Sequence, residues 1–254
     1  MSVVRADLKG RVALVVGGGR GIGRAIAVAL AENGAEVAIA ARTGSDLDET
    51  KRLVEQAGSP CLTIEADVTQ VAQARALVDK AYDWQKRLDI LVYSAGINIQ
   101  RYALDVEEED WDRVLNTNLK GAFFVCQAAG KKMIPQGKGK IINITSQVAF
   151  VGFFRRAAYC ASKGGLTQLS KVLAIEWAPY HINVNCIAPT FVLTPMTEPM
   201  FKEKEFYEEV MRRIPLGKLA TTEDIANAAV YLASDASDMI TGATILVDGG
   251  WVAW

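Results

Sequence analysis

The sequence predicts an α/β fold of the doubly wound type: a single domain on a seven-stranded parallel sheet with helices on both faces. Two observations predict it. Short β-rich runs alternate with amphipathic stretches along the whole length, as in a chain of βαβ units, and several of these runs are apolar almost throughout, as strands covered on both faces must be. A length of 254 residues suits one domain with a large core.

The first strand is Val12–Val16 (VALVV), an unbroken apolar run, and a glycine-rich turn leads from it into a helical pattern over Gly21–Asn33. Glu36–Ala41 (EVAIAA) is the second strand, with Leu47–Ala57 the helix after it. Cys61–Glu65 and Val71–Gln85 repeat the alternation, as do Ile90–Tyr93 (ILVY) and one long helical stretch over Glu108–Met133. The fifth strand, Lys140–Thr145, precedes a helix at Ala157–Ala178. The sixth and seventh strands, Ile182–Ile187 and Thr244–Val247, flank a helix at Thr222–Ser234. One connection is out of proportion. Between Pro189 and Pro215 lie Pro195, Pro199, the methionines Met196, Met200 and Met211, and a charged helical piece, KEKEFYEEV. A long connection after the C-terminal end of a strand, where open α/β sheets bind ligands, predicts a substrate lid over about 190–215.

Composition narrows the function. Lys and Arg number 28 against 29 Asp and Glu, so no basic field invites nucleic acid or an anionic membrane. The N-terminus MSVVRADLKG lacks an apolar signal core, and no apolar run reaches the ~18 residues that span a bilayer, so the chain reads as cytoplasmic. Cys61, Cys126, Cys160 and Cys186 are far apart and His181 is the only histidine, a set that does not suggest a metal site. Histidine-based nucleophilic catalysis would have to run through His181, at the edge of an apolar strand.

The turn after the first strand reads GGGRGIG. It is neither G-x-G-x-x-G, since Ile22 stands where the third glycine would fall, nor a P-loop, since Arg24 and Ala25 follow Gly23. Its spacing is Gly17-x-x-x-Gly21-x-Gly23, with Gly19 between. Glycines here permit positive φ and let backbone N–H groups approach a pyrophosphate at the positive end of a helix. An NAD site of this architecture expects an acid at the end of the second strand, but AIAART offers Arg42 and no acid until Asp46. A guanidinium pairs with a phosphate through two parallel hydrogen bonds, and Arg20 could converge on the same group, which favours NADP(H) over NAD(H).

In AAYCASKGG, Tyr159 and Lys163 are four apart and share a helix face. A phenol of ordinary pKa, near 10, is a poor acid–base catalyst at neutral pH, and a neighbouring ammonium lowers that value. The strand IINITS ends on Ser146, whose hydroxyl can hold a carbonyl oxygen. Together with the glycine turn, Asp67 in ADVT, Ser94-Ala95-Gly96 and Asn118 in NTNLKG, these residues, in this order, make the whole chain resemble the short-chain dehydrogenase/reductase family. The resemblance implies a Rossmann fold and four catalytic residues. Ser146 would orient the carbonyl, Tyr159 transfer the proton, Lys163 lower the tyrosine pKa and bind the nicotinamide ribose, and Asn118 support a water on the proton path. It implies cofactor contacts from Gly17, Gly19, Arg20, Gly21, Ile22, Gly23 and Arg42, from Asp67 and Val68, from Ser94, Ala95 and Gly96, and from Pro189, Val192 and Thr194, besides Tyr159 and Lys163. It further implies a homotetramer, with Trp251 and Trp254 near a subunit contact. Three places depart from the family pattern: Val16 replaces a threonine, with loss of its hydrogen bond, Tyr93-Ser94 replaces Asn-Asn, and Thr190 stands where glycine is common.

The site chemistry calls for a small-molecule carbonyl or secondary alcohol. AGINIQRYALDVEEEDWDRV and the ending VDGGWVAW resemble the branch containing gluconate 5-dehydrogenase and 2-deoxy-D-gluconate 3-dehydrogenase, which implies a keto or hydroxy sugar acid. Arg101, and Arg155 or Arg156, are candidate partners for its carboxylate, and Phe191 a further substrate contact. Phe150, Phe153, Phe154 and Phe191 would also suit an apolar ketone or a 3-oxoacyl thioester, the alternative substrate. A nucleotide-binding protein without turnover is disfavoured by the intact Ser146, Tyr159 and Lys163.

Overall fold

The computed structural model describes residues 6–195 and 197–253, so Met196 and Trp254 lie outside the described residues. The strands are β1 (Val12–Val16), β2 (Glu36–Ala41), β3 (Cys61–Glu65), β4 (Ile90–Tyr93), β5 (Gly139–Ile144), β6 (Ile182–Pro189) and β7 (Thr244–Val247). They form one parallel sheet in the order β3-β2-β1-β4-β5-β6-β7. The direction of winding reverses between β1 and β4, the place where such sheets open a crevice for ligands.

The strand pattern explains the layers. Leu14 and Val16 of β1, and Leu91 and Tyr93 of β4, enter one core, while Ala13, Val15, Ile90 and Val92 enter the other. The first core is closed by α3 (Val71–Gln85), α5 (Gly121–Gln136) and α6 (Ala157–Trp177), the second by α1 (Gly21–Glu32), α2 (Gly44–Gln56) and α8 (Thr222–Ala233). Val16 is buried and fills the first core, so its apolar side chain has a structural use where a lost hydroxyl bond was expected.

Three elements differ from the sequence expectation by more than a single residue at an end. β6 runs on to Pro189 because Ala188 and Pro189 pair with Leu246 and Val247 of β7. α2 starts at Gly44 rather than Leu47. The expected single helix over Glu108–Met133 is broken into α4 (Glu108–Leu115), a π-helical turn at Asn116–Lys120, and α5. The break has a visible cause. The hydroxyl of fully buried Tyr93 donates to the Thr117 carbonyl at 2.6 Å, withdrawing it from the helical ladder, and a side chain at Gly121 would come within 2.9 Å of that hydroxyl and of the Val68 carbonyl. Tyr93, a departure from the family pattern, thereby sets the turn that carries Asn118.

The long connection after β6 contains α7 (Lys204–Arg212), and it packs through a third apolar cluster in which Phe191, Val210 and Ile214 meet Val148, Phe153 and Trp251. Among the described residues, no helix is long and apolar enough to cross a membrane.

The turn after β1 is fixed by a close backbone approach. Gly17 has φ +84, and a Cβ there would stand 2.5 Å from the Ala95 nitrogen. Gly17→Ala is therefore expected to lower folding stability by about 1–3 kcal/mol and to weaken nucleotide binding, measured by denaturant unfolding and fluorescence titration. Wild-type stability in this variant would show that the turn can shift aside.

Candidate active site

One cleft opens at the C-terminal ends of β1, β2, β4, β5 and β6, and every residue expected to contact the cofactor lines it, from Gly17 in the first turn to Thr194 beyond β6. The glycine turn is anchored from behind. The Gly17 and Gly18 amides donate to the Ala40 carbonyl, while the Gly19 carbonyl accepts from Arg24 and Thr50. This leaves the first N–H groups of α1 facing the cleft, as an anion requires. Arg20 and Arg42 are exposed at its rim, and neither has an ion-pair partner among the described residues. Asp46 lines the same end.

The floor suits a nicotinamide nucleotide. The hydroxyl of buried Thr190 has no hydrogen-bond partner and lines the cleft, a free group for a ligand amide. Gly96 keeps the floor low, since a Cβ there would approach Asn118 Oδ1 to 3.3 Å and Lys163 Nζ to 3.5 Å. Asp67 is oriented by Thr69, whose amide and hydroxyl both donate to its Oδ1 at 2.9 Å.

Ser146, Tyr159 and Lys163 meet in this cleft. Ser146, in extended backbone just after β5, accepts from the Val148 amide at 3.4 Å. Burial pushes the Tyr159 pKa up, while the neighbouring Ser146 hydroxyl and the Arg156 charge pull it down. Lys163 is buried, donates to the Ile144 carbonyl at 2.8 Å, and sits 5.7 Å from the centre of the Tyr159 ring. Loss of water holds its pKa down to about 8. Arg156 is the cation that opposes the rise in the tyrosine pKa here, while the Lys163 ammonium is turned to a carbonyl and is itself desolvated. Asn118 stands behind the cleft. Its Oδ1 accepts from the Ile97 amide at 2.8 Å, and its Nδ2 donates to the Ile97 carbonyl and to Ser162 Oγ.

Of the residues expected to touch substrate, Ser146 and Tyr159 line this cleft, whereas Arg101, Arg155, Arg156 and Phe191 do not. Arg101 is exposed and paired with Asp110 at 3.1 Å, Arg155 stacks on the Tyr102 ring, and Phe191 is buried among Phe153, Phe201, Phe206 and Trp251. These are tertiary contacts that composition alone does not show. Thr190, noticed in the sequence only as a departure, and Asp46 are the cleft residues whose contribution was missed.

Comparison with known proteins agrees with this geometry. The family model described as enoyl-(acyl carrier protein) reductase matches residues 16–252. A 2-dehydro-3-deoxy-D-gluconate 5-dehydrogenase of Bacillus subtilis is 42% identical over 247 residues, covering 97% of this chain and 96% of its own. A 3-oxoacyl-[acyl-carrier-protein] reductase of Thermotoga maritima is 37% identical, covering 96% and 99%. A crystal structure from Agrobacterium tumefaciens, provisionally named 2-deoxy-D-gluconate 3-dehydrogenase and holding NADP, superposes with a TM-score of 0.91 at 41% identity over 98% of each chain.

The buried ammonium has a consequence for stability. The unfolded chain keeps the Lys163 proton up to a pKa of 10.5 and the folded chain only to about 8, so the burden on folding is full below pH 8 and fades towards 10.5. Lys163→Met should melt above the wild type at pH 7, with the gap narrowing as pH approaches 10.5. A gap that widens with pH in thermal unfolding would contradict this.

Proposed function

The chain belongs to the short-chain dehydrogenase/reductase family, and from that premise we propose that it is an NADP(H)-dependent enzyme interconverting a keto and a hydroxy sugar acid. It is an oxidoreductase acting on alcohol groups with a nicotinamide cofactor. The observation that carries the proposal is the meeting of Ser146, Tyr159 and Lys163 in a cleft whose rim holds two arginines with no ion-pair partner among the described residues.

Bound nicotinamide supplies or accepts the hydride. Ser146 holds the carbonyl oxygen, and Tyr159 gives that oxygen a proton on reduction and takes one on oxidation. Lys163 would hold the nicotinamide ribose and favour the phenolate. Asn118 supports a water continuing the proton path behind Lys163. Burial keeps Tyr159 protonated at neutral pH, so reduction proceeds there, and oxidation quickens as pH rises and the phenolate forms. Arg20 and Arg42 clamp the 2′-phosphate, and Asp67 and Val68 flank the adenine.

The connection over 190–215 acts as the lid. Thr190, Val192 and Thr194 line the cleft while Phe201 and Phe206 root it in the aromatic cluster. A sugar acid is favoured over a 3-oxoacyl thioester because Phe153 and Phe191, two of the phenylalanines that would receive an acyl chain, pack on one another and on Trp251. We also propose a cytoplasmic homotetramer, supported by exposed apolar side chains at Leu104, Trp111, Val172 and Ile175. Light scattering should give four times the chain mass.

Tyr159→Phe should lower kcat roughly 10²–10⁴-fold with NADPH affinity intact, checked by steady-state rates and fluorescence titration. Survival of the rate would remove the tyrosine from the mechanism. Arg42→Asp should weaken NADPH binding at least roughly tenfold and spare NADH. Keto sugar acids and β-ketoesters assayed with both cofactors test the substrate class, and activity confined to the esters would overturn the sugar-acid reading.

A further inference from the structure

Arg156 is the charged side chain that the fold explains least. It is 3% exposed, yet among the described residues no carboxylate pairs with it. It caps the N-terminus of α6, where the helix dipole already disfavours a cation, and the first turn of that helix contains no acid. The rings of Phe153, Phe191 and Phe206 lie 4.9, 5.4 and 5.7 Å from its guanidinium carbon. Such contacts hold a guanidinium plane in place without neutralising it.

Its N–H groups are poorly matched. One reaches the Phe154 carbonyl at 3.3 Å and another the Met200 sulfur at 3.4 Å. Gln100, on the loop after β4, directs its Nε2 to the same sulfur at 2.8 Å. A thioether is a weak acceptor. Two strong donors from separate elements therefore converge on a point where an oxygen would serve far better. Met200 belongs to the connection after β6, the segment read as a lid. A further buried acceptor, Asn98 Oδ1, is without a partner on the loop that carries Gln100.

We propose that Arg156 is the anchor for the carboxylate of the substrate, which displaces the Met200 thioether and takes the guanidinium edge together with the Gln100 amide. The inference rests on the sugar-acid reading above and deepens it. Arg156 is the N-cap of α6 and Tyr159 lies in its first turn, three residues on, so an acid held by the first presents its chain to the second. The unpartnered Asn98 oxygen accepts from a substrate hydroxyl. Displacement of Met200 links substrate entry to the position of the lid.

The test compares the wild type with Arg156→Met, which keeps most of the volume and removes the charge, and with Arg156→Lys, which keeps the charge and loses the planar fork. Thermal melting and NADPH titration check folding. Two readouts are taken with each protein: the ratio of kcat/KM for 5-keto-D-gluconate to that for neutral D-fructose, and inhibition by D-glycerate of whichever carbonyl the enzyme reduces. Arg156→Met is expected to lower the ratio and to raise the glycerate Ki, each roughly 10- to 100-fold, with Arg156→Lys in between. An unchanged Ki in folded, NADPH-binding Arg156→Met would overturn the anchor whatever the substrate. If the wild type reduces no sugar acid, the substrate reading falls, while a Ki that still depends on Arg156 keeps the anchor.

Discussion

The carboxamide of Asn118 is the joint on which the site depends. It exchanges two hydrogen bonds with the backbone of Ile97 and donates a third to Ser162, whose hydroxyl in turn donates to the Tyr159 carbonyl. The loop after β4, which forms the floor of the cleft, is thereby tied to the helix carrying Tyr159 and Lys163. Such a joint needs a side chain at a position where a regular helix would point it elsewhere. The π turn supplies that position, and Tyr93 holds the turn open from the end of β4. A buried tyrosine at the sheet is thus part of how the catalytic helix is placed.

Burial drives the electrostatics of the same region. Taking water from Tyr159 raises its pKa above the ordinary phenol value, and taking it from Lys163 lowers that lysine's to about 8, so the two move apart and burial favours the neutral form of each. Neither charged form is well solvated by the protein alone, since Lys163 has one carbonyl and Tyr159 one hydroxyl as partner. A bound nucleotide with its ribose hydroxyls would supply the missing partners. Thr190 fits the same picture, a buried hydroxyl at the floor of the cleft placed to meet a ligand amide.

Much of this was legible in the chain. The apolar runs located all seven strands to within a residue or two, because strands buried on both faces leave no polar phase to misread. The order of glycine turn, Ser146 and Tyr159-x-x-x-Lys163 located the residues that meet in the cleft, since α/β crossovers return the chain to the same edge of the sheet each time. Glu108–Met133 read as one helix because periodicity is blind to a single widened turn, whose cause is a hydroxyl from a distant strand. Arg101, Arg155 and Phe191 read as substrate contacts because residue type alone does not show that Asp110, Tyr102 and Trp251 engage them.

By itself the sequence determined the fold class, the glycine turn and the side chains that meet in the cleft, because each is encoded by residue type at fixed local spacing on an element whose periodicity is strong. Tertiary structure alone decided which charges are buried and what they face. Arg101 and Arg156 are equally plausible in the one-dimensional record, yet the first meets a carboxylate in solvent and the second is enclosed by rings with no anion beside it. Burial and pairing are properties of segments brought together from β4, α6 and the connection after β6, and no local pattern along the chain specifies that meeting.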